Sequence, residues 1–425
     1  MKPLKWASDA AISSEALREA LLASIADERA QWKKILIIPP DLTRGHSKAG
    51  VITAMLYNEL KDDCQIDILP ALGTHMAMTD DELRAFFGPD IPLERFIVHD
   101  WRNDTVTLGT IEASFIREIS GGLLDYDVEA AINRRVMDDS YDAILSVGQV
   151  VPHEVVGMAN YTKNLFVGVG GAQMINRSHF LGAVVGLESM MGHADTAVRR
   201  LYNEAFERYL KHRPIHFILT VIAPQDGENV LRGLYIGDDE QTFQDACVQS
   251  RALNMDLLEK PIKKCVVYLD PDEFRTTWVG NKAVYRTRMA IADGGDLVII
   301  APGAHRFGED DDIDVLLRKY GYAGRDNILK WANEKEDLKN NLSAAAHLIH
   351  GSSDGRFNIT WCPGHLSREE IEKACFNYMS LEDAMAKYHP DTLKDGYNIL
   401  EDGEEIFYVS NPALGLWALK SQFAD

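Results

Sequence analysis

This chain lacks the features that mark membrane, secreted and nucleic-acid-binding proteins. No apolar run approaches the ~20 residues of a membrane-spanning helix, and the start, MKPLKWASDA, has no apolar core of a signal peptide. Cysteine is scarce: Cys64, Cys247, Cys265, Cys362 and Cys375 form no C-x-x-C pair. An odd, scattered set argues against a disulfide framework and a thiolate zinc site, and fits a reducing compartment. Positive charge is in deficit, with a net charge of -21, which argues against nucleic acid or an anionic membrane as partner. A small anionic substrate is not excluded, because a local cluster of Arg, Lys and His outweighs a distant acidic surface. No internal repeat or low-complexity tract occurs. These absences predict a cytoplasmic protein acting on a small molecule.

With 425 residues, 46% hydrophobic and 26% charged, the chain has the composition of a globular protein large enough for two or three domains. Short β-branched runs alternate with helical stretches. Strands are predicted at 33–40, 65–72, 95–100, 142–148, 215–222, 265–270, 296–302 and 405–410. Between them SSEALREALLASIADERAQWKK and ADTAVRRLYNEAFERYLKH read as helices. This alternation predicts an α/β fold of two domains, with mostly parallel sheets flanked by helices. PQDGENVLRG (224–233) reads as turn-rich, and KEDLKNNLSAAAHLIHGSSDGR as surface helix and loop. The boundary is placed after the helical run 241–261, giving domains 1–260 and 261–425.

The chemistry-bearing residues cluster at the ends of the early strands. PPDLTRG puts Asp41, Thr43 and Arg44 at the carboxyl end of the first strong strand, where open α/β sheets bind ligands. Arg44 offers a bidentate fork to a carboxylate or phosphate; an Asp–Arg pair bracing the turn is the structural alternative. ALGTHMAMTDDEL places Gly73, Thr74 and His75 before a capping box, Thr79 with Glu82, so a helix is predicted to start near Asp80. Backbone N–H groups of such a loop cradle phosphate; a loop histidine bonded to backbone is the plainer reading. VVPHEVVGMANYTKNLFVGVGG carries His153 and Lys163, with Gly157, Gly168, Gly170 and Gly171 to let backbone approach a ligand. Gln173 occupies the last glycine position of a dinucleotide fingerprint, so that reading is weak. Lys163 in isolation reads as a solvated lysine. His179 and His193 follow. Three histidines from distant segments could bind zinc, but none has the helical spacing of a zinc motif.

Taken together, D-x-T-R at 41–44, G-T-H-x-x-x-T-x-x-E-L at 73–83, P-H…K at 152–163 and His179 resemble the lactate racemase family, whose members use a nickel-pincer nucleotide. The resemblance is good over residues 35–185 and loose beyond. It implies an N-terminal cofactor-binding and catalytic domain, a C-terminal domain that closes over substrate, and an active site in the interdomain cleft. It further implies that Lys163 holds the cofactor, His179 ligates nickel, and Asp41, Thr43, Gly73 and Thr74 contact the nucleotide. Arg44 would face the substrate carboxylate, and His75 and His153 would be the acid–base pair. Separate enzymes would make the cofactor.

That assignment is chemically sensible. Removing the C2 hydrogen of a 2-hydroxy carboxylate as a proton would place charge beside an existing carboxylate. Hydride removal to the cofactor avoids this, while a histidine takes the hydroxyl proton near neutral pH. The planar 2-keto acid then receives the hydride on its other face, so C2 inverts. The sequence departs from the family in VYRTRMAIADGG. Tyr285 is kept, but Arg286 stands for a glutamine and Met289 for a lysine, with Arg288 adjacent. Extra guanidinium donors suit a sugar acid such as gluconate and mannonate; lactate and malate are the alternatives, and Arg286 and Arg288 as surface residues the plainer reading. Readings of another class are a zinc-dependent hydrolase using His75, His153 and His179, and a non-catalytic metabolite-binding protein.

Overall fold

A computed structural model describes residues 1–225, 228–413 and 415–423. The chain divides into two compact units. The first comprises Met1–Leu181 and Ser189–Asn254, the second Gly182–Glu188 and Met255–Asp425. Both are α/β units with mainly parallel sheets, as the alternation of runs predicts.

The first unit is built on a six-stranded sheet in the order Leu4–Ala7, Glu228–Gly237, Ile215–Gln225, Ala143–Gln149, Lys34–Ile38, Gln65–Ile68. The last four strands are parallel, and a hairpin adds the antiparallel edge. Ile35, Leu36, Ile37 and Ile38 are fully buried, which is why the central strand reads as an unbroken apolar run. From Lys34–Ile38 the chain crosses first to Gln65–Ile68 on one side, then back to Ala143–Gln149 on the other. The sheet therefore has a topological switch point at the carboxyl ends of these strands, where ligand crevices form.

Two expectations about this unit need correction. The run 95–100 is not a strand: it meets the sheet only where Phe96 bridges Ile68 and the Ile97 N–H reaches the Ile68 carbonyl at 2.7 Å. Val98 is exposed, so the run lacks the two-sided burial its composition suggests. The turn-rich stretch 224–233 is mostly strand, since Ile215–Gln225 and Glu228–Gly237 pair across it; Asp226 and Gly227 lie outside the described residues. The capping box forms as read, with Glu82 and Thr79 bonding reciprocally at the start of helix Asp80–Phe87.

The second unit has a six-stranded sheet in the order Asn377–Tyr378, Asn358–Pro363, Ile291–Ala301, Ile262–Tyr268, Glu405–Val409, Gly396–Ile399. All neighbours are parallel except the last pair. Helix Leu342–His350 was expected at the surface, yet every residue from Ala344 to His350 is buried. Its polar members, His347 and His350, find partners inside, so the polar sequence did not signal exposure. No helix among the described residues is long and apolar enough to cross a membrane.

Candidate active site

Three adjacent parallel strands of the first unit deliver their carboxyl-terminal loops to one cavity of about 220 Å³. Lys34–Ile38 runs into Asp41, Thr43 and Arg44; Gln65–Ile68 leads to Gly73, Thr74 and His75; Ala143–Gln149 leads to His153 and on to Lys163. Helix Ala172–Val185 adds His179. All nine of these side chains and loop residues line the cavity.

Asp41 is buried and His75 exposed, and the two are joined by a 2.6 Å hydrogen bond from His75 Nδ1 to Asp41 Oδ2. The other Asp41 oxygen accepts from the Thr43 N–H at 3.2 Å and the Thr43 hydroxyl at 2.5 Å. Burial alone would raise the Asp41 pKa, but the bonds from His75 and Thr43 hold it below the usual carboxylate value. Asp41 is therefore an anion, and as an acceptor only it keeps the His75 proton on Nδ1. Nε2 of His75 is left as a base. Gly73, with φ of +58°, supplies the left-handed turn that ends this loop. Its N–H donates to the Gly168 carbonyl at 2.8 Å, tying the His75 loop to the segment after Lys163.

His153 sits in the opposite protonation geometry. Its Nδ1 accepts from the Val155 N–H at 3.1 Å, so the neutral ring carries its proton on Nε2. Burial, then the positive charges of Lys163 and Arg44, push its pKa well below 6.5. Lys163 itself is pulled down to about 8, chiefly by burial and then by Arg44. At neutral pH roughly a tenth of such amines is uncharged and nucleophilic, far more than for an ordinary lysine. His179 donates Nδ1–H to the Ile175 carbonyl one turn back, at 2.6 Å. Burial, then Lys163, lowers its pKa to about 4, so Nε2 bears a free lone pair suited to a metal.

Of the four glycines expected to admit a ligand, Gly168 borders the cavity, and all four also admit other protein. A Cβ on Gly157 would lie 2.1 Å from the His193 carbonyl oxygen, and one on Gly168 would lie 2.6 Å from the Ala71 Cβ. Gly170 and Gly171 are likewise closed by Phe166 and Ala131.

Residues not singled out by sequence also border the cavity: Gln149, Asn160 and Asn164. Asn164 Nδ2 donates to the Ile38 carbonyl at 3.1 Å and to the Ser146 hydroxyl at 3.0 Å, pinning the Lys163 segment to two sheet strands. An asparagine directly after the lysine was the only sequence signal.

Tyr285, Arg286 and Arg288 belong to the second unit. The Tyr285 hydroxyl bonds His347 Nδ1 at 2.6 Å, and His347 Nε2 meets the Tyr322 hydroxyl at 3.1 Å. Arg286 is half-buried in the last turn of helix Lys282–Thr287. Arg288 is 2% exposed and fully engaged: Nε and Nη2 hold Glu188 at 2.8 Å, and Nη1 donates to the His350 and Ser352 carbonyls. That is neither the surface residue nor the donor facing a substrate that the sequence suggested; its nitrogens are consumed inside the unit. Met289 is fully buried.

The donor set suits one reading better than another. Among the described residues no three of His, Cys, Asp and Glu come together as a metal-binding group, whereas a hydrolytic zinc site needs three protein ligands. A single imidazole beside a nucleophilic amine fits a metal that arrives with other donors attached.

Residues 5–192 match the family described as lactate racemase N-terminal domain. No curated protein matches the chain. Among solved structures, the chain is similar to a structural-genomics target from Thermotoga maritima, with 23% identity and a TM-score of 0.77. That alignment covers 98% of this chain and 100% of the other. It is also similar to the lactate racemase apoprotein from Thermoanaerobacterium thermosaccharolyticum, at 16% identity and a TM-score of 0.71, covering 98% and 95% of the two chains. At these identities the structures establish a shared fold. The match over residues 5–192 shows that this part of the chain is similar to the lactate racemase N-terminal domain.

Proposed function

We propose that the protein is an isomerase that inverts C2 of a 2-hydroxy acid with the help of a nickel-pincer nucleotide. The observation that carries this reading is the pairing of Lys163 and His179 in one cavity: an amine depressed to about 8 and an imidazole whose free Nε2 is set by its bond to Ile175. Lys163 would hold the group covalently and His179 would complete its nickel coordination. Asp41, Thr43, Gly73 and Thr74 would border its nucleotide. When bound, the group would supply the site with a reversible hydride acceptor.

The chain's own residues do the rest. Arg44, exposed at the cavity, pairs the substrate carboxylate through its guanidinium fork. His75, with Nε2 unprotonated, takes the proton of the C2 hydroxyl, and Asp41 stabilises the imidazolium that results. His153 lies on the same cavity and serves the proton transfer for the other enantiomer. In the unmodified protein His153 is held neutral in part by the Lys163 charge. Acylating Lys163 removes that charge, which raises the His153 pKa toward the range where a histidine both gives and takes a proton.

The case for a sugar acid rested on two arginines. Arg288 is consumed internally, so gluconate or mannonate now rests on Arg286 alone, and malate and lactate stand beside it. A partnership with cofactor-making enzymes follows from the proposal, because nothing in a racemase active site synthesises such a group.

The test is the intact mass of protein produced in a host that makes the cofactor. A mononucleotide adduct that disappears in Lys163→Ala, with C2 epimerisation of one of these acids, is the expected result. Wild-type protein without an adduct from such a host would overturn the proposal.

A further inference from the structure

Behind Lys163 and His179 runs a second layer of polar side chains, all presented by one helix. Arg199, Tyr202 and Asn203 lie on Ala197–Tyr209 at i, i+3 and i+4, and so share a face. Arg199 and Tyr202 are fully buried. Thr162, next to Lys163, accepts from Arg199 Nη1 at 2.8 Å and donates to Asn203 Oδ1 at 2.8 Å. Arg199 Nη2 also holds the Met158 and Asn160 carbonyls, at 2.7 and 3.1 Å. Those carbonyls flank a loop in which Asn160 and Tyr161 have φ of 68° and 58°, a conformation that residues with a Cβ avoid. Tyr202 reaches the other anchor. Its hydroxyl donates to Ser178 Oγ at 2.6 Å, and Ser178 Oγ donates to the Ile175 carbonyl at 3.1 Å. That carbonyl is the acceptor for His179 Nδ1.

We propose that helix Ala197–Tyr209 is the positioning element of the site: Arg199 and Asn203, through Thr162, set the Lys163 segment, and Tyr202, through Ser178 and Ile175, sets the His179 ring. The inference rests on the proposed function for why these two groups must be held together. Stability alone does not account for the arrangement. The Arg199 guanidinium is buried against a hydroxyl, two carbonyls and the Phe243 ring, 4.3 Å from its centroid, rather than against a carboxylate, and its Nε has no hydrogen-bond partner among the described residues. An apolar residue of similar volume is usually at least as stable in such a place. What the polar contacts add is direction: each hydrogen bond has one good geometry, and together they over-determine a strained loop and one imidazole orientation. Outer partners of this kind tune ligands they never touch.

The apoprotein provides the test, using cyanate for amines and diethyl pyrocarbonate for imidazoles, with modification followed by peptide mass at fixed pH. In wild type, Lys163 is carbamoylated faster than the exposed lysines. Thr162→Val, an isosteric change that breaks both bonds, lowers the Lys163 rate at least fivefold, and Thr162→Ser restores it to within twofold. Tyr202→Phe slows acylation of His179 at least threefold and leaves Lys163 unchanged. A general loosening of the fold would move both groups in both variants; the proposal requires each variant to move only its own. A wild-type Lys163 rate in folded Thr162→Val, or a wild-type His179 rate in Tyr202→Phe, overturns it. Should Thr162→Val fail to fold, Tyr202→Phe decides alone. Because no cofactor enters these measurements, they are independent of whether wild-type protein acquires the adduct.

Discussion

His75 Nδ1 and Asp41 Oδ2 are 2.6 Å apart, and this contact determines which nitrogen of His75 is available as a base. An ionised carboxylate accepts and never donates, so the imidazole proton stays on Nδ1 and the Nε2 lone pair is free. The same carboxylate lowers the cost of the imidazolium formed when Nε2 takes a proton.

Asp41→Asn keeps the shape and reverses the logic. A carboxamide donating to Nδ1 would force the proton onto Nε2 and remove the base. Turnover is expected to fall by on the order of 10²–10⁴, while the adduct on Lys163 persists. Measured racemisation within a factor of three of wild type would exclude the Asp41–His75 pair from proton transfer.

Lys163 is expected to destabilise the empty protein. Its pKa falls from 10.5 to about 8 because burial disfavours the charged amine. The penalty is complete below about pH 8, where folded and unfolded chains are both protonated, and fades as the pH rises towards 10.5. Lys163→Met should therefore raise apoprotein stability by about 1–3 kcal/mol near neutral pH, and by less near pH 10. Urea midpoints at the two pH values check this; a destabilised Lys163→Met protein would show that the amine contributes more than its burial costs.

His153 reports on the same charge. Burial is the main cause of its low pKa, and Lys163 is the next. In Lys163→Met, or after acylation of Lys163, the His153 titration followed by NMR should move up towards 6.5. An unchanged midpoint would mean that burial alone sets it, and His153 would then be unable to carry a proton at neutral pH.

Much of the first unit was legible because its central strands are buried on both faces and therefore spell continuous apolar runs. The loops that follow them carry Asp41, His75 and Lys163 to one edge by topology alone. Run 95–100 misled because composition does not distinguish a ladder from a single bridge at a sheet edge. Helix Leu342–His350 misled in the other direction, since His347 and His350 are polar yet buried. Arg199 was the larger omission. Its helix was read, and its position three residues before Tyr202 placed it beside the apolar stripe, but an arginine there is ordinarily assigned to solvent. Only the structure shows that Thr162, Met158 and Asn160 supply its acceptors.

The arginines expected to meet substrate now separate by their surroundings. Arg288 is 2% exposed, with Glu188 and two carbonyls taking all its nitrogens. Arg288→Met would leave Glu188 to Arg356 alone, 2.9 Å away, and take the donor from the His350 and Ser352 carbonyls, and should cost about 1–3 kcal/mol of stability. Arg44 is exposed at the cavity, so Arg44→Ala should alter stability by less than about 0.5 kcal/mol. Its effect belongs to binding: loss of a charge-assisted fork on a carboxylate should raise KM at least tenfold. Thermal melts and substrate kinetics on the two variants decide between these roles. A stable Arg288→Met protein with weakened substrate binding would return that residue to the active site, and an Arg44→Ala protein with unchanged KM would remove Arg44 from it.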